Sequence, residues 1–269
     1  MNDAPIGIFD SGMGGLTVMK AIVEEMPSEN TVYLGDTARV PYGIRSRETI
    51  LRYSFECMSF MLKHNIKLLV IACNTVSAIS LGAIRKKSPV PVIGVIGPGA
   101  RAAVKYSNNR KIGVIGTEAT IRSSSYLKAI KAIDRRACIY SMACPLFVPL
   151  VEEGWVKGDI AKLTAKRYLD GLKGKGIDAL LLGCTHYPLL KGTLSEVMGD
   201  SVTLIDSAIE TAKEIKVVLK KHSLLRKGKR KPFREFYVTD SPERFGRLGK
   251  MFLGHSMENM KVVRLDMEV

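Results

Sequence analysis

The chain has 269 residues, of which 46% are hydrophobic and 25% are charged, and its formal net charge is +15. This composition is typical of a globular protein, and the length suits roughly two domains. No apolar run approaches the ~18 residues of a membrane span, and the first residues lack the basic and apolar segments of a signal peptide, so we expect a cytoplasmic protein without membrane contact.

Short hydrophobic segments alternate with amphipathic segments along the whole chain. Strands are predicted near residues 6–10, 31–35, 67–72, 91–95, 111–115, 137–141, 178–183, 202–205, 234–238 and 261–265. Helices are predicted near residues 15–26, 46–64, 76–87, 98–107, 120–133, 147–153, 158–173, 188–197, 208–222 and 242–252. Such alternation predicts an α/β fold with parallel sheets, in which ligands bind at the carboxyl ends of the strands.

A glycine-rich segment, GMGGLT at 12–17, follows the first strand and opens a helix. It fails as a dinucleotide-binding fingerprint because Thr17 replaces the final Gly or Ala, and because Asp10 would put an acid beside the pyrophosphate. Backbone N–H groups of this turn suit a small carboxylate better. Asp10 then remains available for an ammonium group or for a catalytic thiol.

Two cysteines end matching hydrophobic strands. Cys73 follows the run LLVIA at 68–72, and Cys184 follows ALLLG at 179–183. Small polar residues come next in both cases, where a helix should begin. The N–H groups and positive dipole end of that helix favour thiolate. Two such thiols facing each other would form a proton donor and a proton acceptor.

The two halves of the chain keep a similar rhythm. The segments 6–12 and 111–117 both read as a short strand ending in polar residues. Cys73 follows Asp10 by 63 residues, and Cys184 follows Thr117 by 67. This similarity indicates a duplicated fold more than a sequence repeat, with the division between the halves near residues 94–98.

The remaining cysteines indicate neither a disulfide scaffold nor a zinc site. The total of five is odd, and the sequence contains no C-x-x-C pair and no H-E-x-x-H motif. Cys57 belongs to an amphipathic helical pattern, so we expect it to pack in the core. We expect the same of Cys138 and Cys144, and no metal is predicted.

Much of the positive charge is local. Residues 220–234 contain eight Lys or Arg and no acidic residue, together with Gly228 and Pro232. A solvated basic loop is favoured over a nucleic-acid site because no aromatic stacking pattern accompanies the charge. We therefore expect no nucleic-acid partner, although a positive field would help to gather an acidic substrate.

Four segments together resemble glutamate racemase, of the aspartate/glutamate racemase superfamily. They are FDSGMGGL at 9–16, LGDTARVPYG at 34–43, ACNTVSA at 72–78 and LGCTHYPL at 182–189. The resemblance extends from about residue 6 to residue 206. Four motifs in the same order are highly specific, whereas the sequence after residue 220 is less distinctive.

The resemblance implies an enzyme that interconverts L- and D-glutamate without a cofactor and supplies D-glutamate for peptidoglycan. It also implies two similar parallel-sheet α/β domains related by pseudo-twofold symmetry, with the site at their interface. The first would comprise residues 1–96 and 209–269, and the second residues 97–208. A homodimer is expected because dimers are common in the family.

The resemblance also assigns catalytic roles. A planar carbanion loses a proton from one face and regains it on the other, so Cys73 and Cys184 would act from opposite faces. Asp10 would lie beside Cys73, and His186 beside Cys184, where it would favour the thiolate. Asp36 and Glu152 are further acidic candidates. Spacing alone does not decide between Glu152 and Glu153, and Glu152 is chosen on the family match.

Substrate binding is assigned to groups that suit two carboxylates and an ammonium. They are Asp10, Ser11, Tyr42, Gly43, Asn74, Thr75, Thr117, Thr120, Thr185 and His186. Four of these hydroxyl residues, Ser11, Thr75, Thr117 and Thr185, could instead simply cap helices, a role that contributes ~1 kcal/mol each. The two roles are compatible because a cap already lies at a helix end.

Other functions stay open at this point. A related racemase would act on aspartate, and only the resemblance favours glutamate. A thiol hydrolase would use Cys184 and His186 to form an acyl-enzyme. A third possibility is a basic nucleic-acid-binding protein with a vestigial pocket.

Overall fold

The computed structural model describes residues 3–228, 230–258 and 260–265. Lys229 of the predicted basic loop lies outside the described residues. Residues 1, 2, 259 and 266–269, which belong to the predicted first domain, also lie outside them. Within the described part, no helix combines the length and apolar character needed to cross a membrane.

Across this described part of the chain, ten strands form two sheets. They are β1 Ile6–Asp10, β2 Thr31–Gly35, β3 Leu68–Ile71, β4 Val92–Gly94, β5 Lys111–Gly116, β6 Cys138–Ala143, β7 Ala179–Gly183, β8 Thr203–Asp206, β9 Arg234–Val238 and β10 Met260–Val262. One sheet has the order β10-β9-β2-β1-β3-β4, and the other has the order β6-β5-β7-β8. All neighbouring strands are parallel. The predicted α/β class with two parallel sheets is therefore confirmed.

Eleven α-helices connect these strands in the described residues. They are α1 Leu16–Glu25, α2 Arg47–Leu62, α3 Asn74–Lys87, α4 Ile96–Tyr106, α5 Glu118–Arg122, α6 Ser125–Ile133, α7 Phe147–Glu152, α8 Asp159–Lys173, α9 Lys191–Met198, α10 Ser207–Lys221 and α11 Pro242–Leu253. Short 3-10 helices cover Thr37–Arg39, Tyr42–Ile44 and Tyr187–Leu190. Helix α10 packs against both α1 and α4, so it joins the elements around the two sheets.

The predicted helix over 120–133 is wrong as a single element. The chain forms α5 and α6 with a break at Ser124, whose φ of 55° is left-handed. The Ser123 hydroxyl donates to the Thr120 carbonyl at 2.6 Å and accepts from the Ser125 N–H at 3.1 Å. Serine hydroxyls that bind nearby backbone groups compete with the helical pattern, which explains the break.

The hydrophobic runs that precede the two cysteines form central parts of the sheets. Every side chain of β3 and β7 is buried, as a parallel sheet covered by helices on both faces requires. In the first sheet β3 is the neighbour of β1, and in the second β7 is the neighbour of β5. The carboxyl ends of these four strands carry the polar residues that the sequence singled out.

Candidate functional site

A cavity of about 790 Å³, counting its mouth to solvent, lies at the carboxyl ends of strands from both sheets. Most of the predicted residues line it, namely Ser11, Tyr42, Gly43, Cys73, Asn74, Thr75, Thr117, Glu152, Cys184, Thr185 and His186. Asp10 and Thr120 are buried but are not among the lining residues. The two cysteines thus share one cavity, although they follow strands of different sheets.

Cys73 precedes the first residue of α3, where the backbone turns from strand to helix. Its Sγ lies 3.3 Å from the Ser11 hydroxyl. Burial, together with the nearby charge of Asp10, raises the pKa of Cys73 to about 12, although the Ser11 hydrogen bond opposes this change. Cys73 is therefore a thiol at neutral pH.

Asp10 lies behind this thiol at the end of β1. The Gly12 N–H donates to its Oδ2 at 2.9 Å. Burial raises the pKa of Asp10, while His186 and the N–H groups of Gly12 and Gly15 act in the opposite direction. The carboxyl group therefore influences Cys73 by its charge from beneath the cavity wall.

The second cysteine belongs to a chain of polar contacts. Cys184 Sγ lies 3.8 Å from His186 Nδ1, and His186 Nε2 lies 3.2 Å from Glu152 Oε1. Arg244 Nη2 donates to the other oxygen, Glu152 Oε2, at 3.1 Å. This series runs from the cavity mouth to the sulfur.

The same contacts determine the charges of the members. Burial alone would lower the pKa of His186, but the hydrogen bonds to Cys184 and Glu152 outweigh it and raise that pKa to about 10. Burial alone would raise the pKa of Glu152, yet His186 and Arg244 hold it below its usual value. At neutral pH the pair is therefore an imidazolium and a carboxylate.

The glycine-rich turn brings the two halves together. A Cβ atom on Gly14 would overlap the Thr185 hydroxyl and would lie 2.6 Å from His186 Nδ1. On Gly15 it would lie 2.5 Å from the Asp10 Cβ. Gly14 is therefore needed for the close approach of the turn to His186, and Gly15 for its close approach to Asp10. The Thr17 hydroxyl adds a contact of 3.3 Å to the Thr185 carbonyl.

Three threonines form a hydroxyl cluster on the opposite wall. Thr75 Oγ1 lies 2.9 Å from Thr117 Oγ1, and Thr120 Oγ1 lies 3.0 Å from Thr117 Oγ1 and 3.3 Å from Thr75 Oγ1. Thr117 also caps α5 by accepting from the Thr120 N–H. Thr120 thus lies behind the two threonines that face the cavity and fixes their positions.

Asn74 contributes a polar donor. The Tyr126 hydroxyl donates to its Oδ1 at 2.6 Å, so the amide orientation is fixed. Its buried Nδ2 has no hydrogen-bond partner among the described residues. A buried donor without a partner is costly, and one on a cavity wall is available to a ligand.

Tyr42 and Gly43 belong to the segment that covers the cavity. Asp36 accepts hydrogen bonds from the Tyr42 and Thr239 hydroxyls and from Arg39 Nε. Asp36 is fully buried and does not line the cavity. It therefore fixes the covering segment from behind. Burial, with the nearby thiol of Cys57, raises the pKa of Tyr42 well above its usual value, so it remains a neutral hydroxyl.

Sequence reasoning missed the wall that α11 contributes, whereas the contribution of α7 was predicted through Glu152. Ser241, Arg244 and Phe245 line the cavity from the start of α11, and Val148 lines it from α7. The segment 242–252 shows only an amphipathic pattern, which signals packing and not a site. On α7, Glu152 faces the cavity, whereas Glu153 is exposed.

Within the described residues, no three His, Cys, Asp or Glu side chains are grouped so as to hold a metal ion.

Comparisons with known proteins agree on one family. The profile of the Asp/Glu/hydantoin racemases matches residues 6–215. Glutamate racemase of Geobacter metallireducens is 51% identical over 263 residues, covering 98% of this chain and 97% of the relative. Glutamate racemase of Francisella tularensis, solved in complex with D-glutamate, superposes with a TM-score of 0.94 at 40% identity and covers 99% of both chains.

Proposed function

The chain belongs to the glutamate racemases of the Asp/Glu/hydantoin racemase family, which are isomerases, and from this we propose that it interconverts L- and D-glutamate with Cys73 and Cys184 as its two bases. The observation that carries the proposal is that both thiols line one cavity although they follow strands of different sheets. The structure of the Francisella relative with D-glutamate supports the choice of ligand.

The reaction needs one base on each face of the α carbon. One cysteine enters as thiolate and takes the α proton, so an S–H bond forms while the C–H bond breaks. The electron pair stays on the carbon and is delocalised into the adjacent carboxylate. The other cysteine enters as thiol and gives its proton to the opposite face. Each turnover therefore exchanges the protonation states of the two sulfurs, and the reverse direction uses the same pair with roles exchanged.

The unequal surroundings of the sulfurs support this division. Cys73 is a thiol at neutral pH because burial and the nearby charge of Asp10 raise its pKa to about 12. Cys184 has the His186 ring at 3.8 Å, whereas Cys73 has the Ser11 hydroxyl at 3.3 Å. In this proposal Asp10 and Ser11 tune Cys73, while His186 and Glu152 tune Cys184.

Substrate binding uses polar groups that already point at the cavity. The unpartnered Nδ2 of Asn74 would donate to a substrate carboxylate. Hydroxyl groups from both halves, on Ser11, Thr75, Thr117 and Thr185, with Tyr42 and the Gly43 backbone, would bind the remaining carboxylate and ammonium groups. Asp10 acts on the ammonium by charge, and Thr120 acts through Thr75 and Thr117.

Several wider roles belong to the same proposal and rest on the family. We propose that the product supplies peptidoglycan synthesis, that no cofactor is required, and that the enzyme is a cytoplasmic homodimer. We also propose domains of residues 1–96 with 209–269, and of residues 97–208. The pairing of β9 with β2 supports the first division, because it joins the C-terminal strands to the first sheet.

Incubation with L-glutamate in deuterated water tests the proposal. Racemisation predicts growth of the D-enantiomer without added cofactor and deuterium at the α carbon of the product. A thiol hydrolase would give neither outcome. Cys73→Ala and Cys184→Ala should each abolish racemisation. Cys138→Ala should not, because Cys138 is exposed, contrary to the core packing expected from the sequence, and does not line the cavity. Near-native turnover of either cavity variant would refute the two-thiol assignment.

A further inference from the structure

Arg244 connects two parts of the molecule that the chain separates widely. It belongs to α11, which follows β9 of the first sheet, and it contacts Glu152 at the end of α7, which follows β6 of the second sheet. Its Nη2 lies 3.1 Å from Glu152 Oε2. The Arg244 side chain is 50% exposed, whereas the Glu152 side chain is 21% exposed. The guanidinium of Arg244 therefore lies at the cavity mouth, and Glu152 lies deeper in the cavity.

The two oxygens of Glu152 have separate partners. Oε2 accepts from Arg244, while Oε1 lies 3.2 Å from His186 Nε2. A glutamate side chain has several rotatable bonds, and holding it in one conformation costs entropy. A contact at Oε2 fixes the plane of the carboxylate and thereby the direction in which Oε1 faces the imidazole. Arg244 also helps to keep the carboxylate charged, because it holds the pKa of Glu152 down together with His186.

We propose that Arg244 is a positioning residue for the Cys184 half of the reaction. It holds Glu152 so that Glu152 orients the His186 ring, and His186 in turn faces the Cys184 sulfur. Cys73 is instead held by Ser11 and influenced by Asp10. Loss of Arg244 should therefore slow proton transfer at one sulfur more than at the other. The inference rests on the proposed racemisation by two cysteines.

Ordinary rate measurements cannot reveal such a one-sided effect. The equilibrium constant between mirror-image amino acids is one, so kcat/KM has the same value in both directions for every variant. The primary isotope effect of an α-deuterated substrate does distinguish the sulfurs, because the deuteron is taken by a different cysteine in each direction. Slowing the Cys184 transfer raises the isotope effect for the enantiomer whose deuteron Cys184 takes, and lowers it for the other.

The test compares Arg244→Met with the native chain, using L- and D-glutamate that carry deuterium at the α carbon. We expect kcat/KM to fall about two- to fivefold, as suits a partly exposed ion pair. We expect the two isotope effects on kcat/KM to move in opposite senses. His186→Asn, which removes the group nearest Cys184, should move them in the same senses by a larger amount.

Two variants control for charge and for folding. Arg244→Lys keeps a cation at this position and should recover most of the native rate and isotope effects. Arg247→Met removes the same charge from an exposed position on the same helix, and Arg247 does not line the cavity. It should leave both isotope effects and kcat/KM at native values. Circular dichroism of each variant checks that the fold is retained.

Several outcomes would overturn the inference. These are native isotope effects in Arg244→Met, parallel movement of the two isotope effects, movement opposite to that of His186→Asn, or equal changes in Arg247→Met. A native chain that fails to racemise glutamate would instead refute the proposed function, so the two failures are distinguishable.

Discussion

Gly14→Ala tests how strongly activity depends on the close approach of the glycine-rich turn to His186. Gly14 is buried, and its backbone has no left-handed conformation that alanine would resist. The added methyl group would lie 2.6 Å from His186 Nδ1, whereas ordinary contacts begin at 3.4 Å, so the ring has to retreat by about 0.8 Å. It would also overlap the Thr185 hydroxyl. Both of these residues belong to the proposed machinery.

The magnitude follows from this displacement. A misplacement of about 1 Å in an active site can cost roughly 100-fold in rate, so we expect kcat/KM to fall by about that factor. Overpacking of a buried contact typically costs about 1–3 kcal/mol, so the fold should persist at a lower free energy of unfolding. Racemisation followed by polarimetry gives the first quantity, and urea unfolding gives the second.

Gly82→Ala provides the matched control. Gly82 lies within α3, is exposed, and has no atom within 4 Å of an added Cβ. Alanine at such a helical position should stabilise the protein by roughly 0.5–1 kcal/mol and leave kcat/KM unchanged. If Gly14→Ala kept more than half of the native kcat/KM, the close approach of the turn to His186 would not govern activity, and the reasoning would be refuted.

Two further predictions concern stability. The pKa of His186 is raised to about 10 in the folded chain from an ordinary 6.5, so its contribution to stability is complete below pH 6.5 and is lost as the pH rises toward 10. Urea unfolding should show stability falling over this range. His186→Asn should reduce the slope between pH 6.5 and 7.5, which lies below the ordinary cysteine pKa of about 8.5. An unchanged slope would contradict the assignment. Lys67 and Glu29 form an ion pair at 2.5 Å with both side chains 1% exposed, so Lys67→Met should cost about 3–5 kcal/mol on urea unfolding while leaving KM unchanged. A loss below about 1 kcal/mol would show that Glu29 is satisfied without Lys67.

The site residues that could be predicted from the sequence are those placed by their position at the end of a hydrophobic strand. Cys73 and Cys184 each follow a buried hydrophobic run, and the carboxyl end of such a strand lies at the ligand-binding edge of its own parallel sheet. The glycine-rich turn was also assigned to an edge, but its closeness to Thr185 depends on how the two sheets pack and is not visible in the sequence. The break at Ser124 was missed because it depends on hydroxyl contacts with the backbone.

The residues that line the cavity from the start of α11 could not be predicted in the same way. Arg244 is one of many basic residues in the C-terminal part of the chain, and its helix follows an ordinary amphipathic pattern. Only the pairing of β9 with β2 brings that helix back to the cavity. Similarly, the difference between lining the cavity and lying behind it, which separates Thr117 from Thr120, depends on distances of a few ångström and not on residue type.

The order in which the chain is made gives α11 a special position. Both sulfurs, the threonine cluster and the glycine turn come before residue 190, whereas Ser241, Arg244 and Phe245 are among the last described residues. A ribosome synthesises the chain from its first residue to its last. A nascent chain therefore contains both thiols before it contains the α11 residues that line the cavity. A chain that ended before residue 241 would therefore contain both sulfurs but would lack three of the residues that line the cavity.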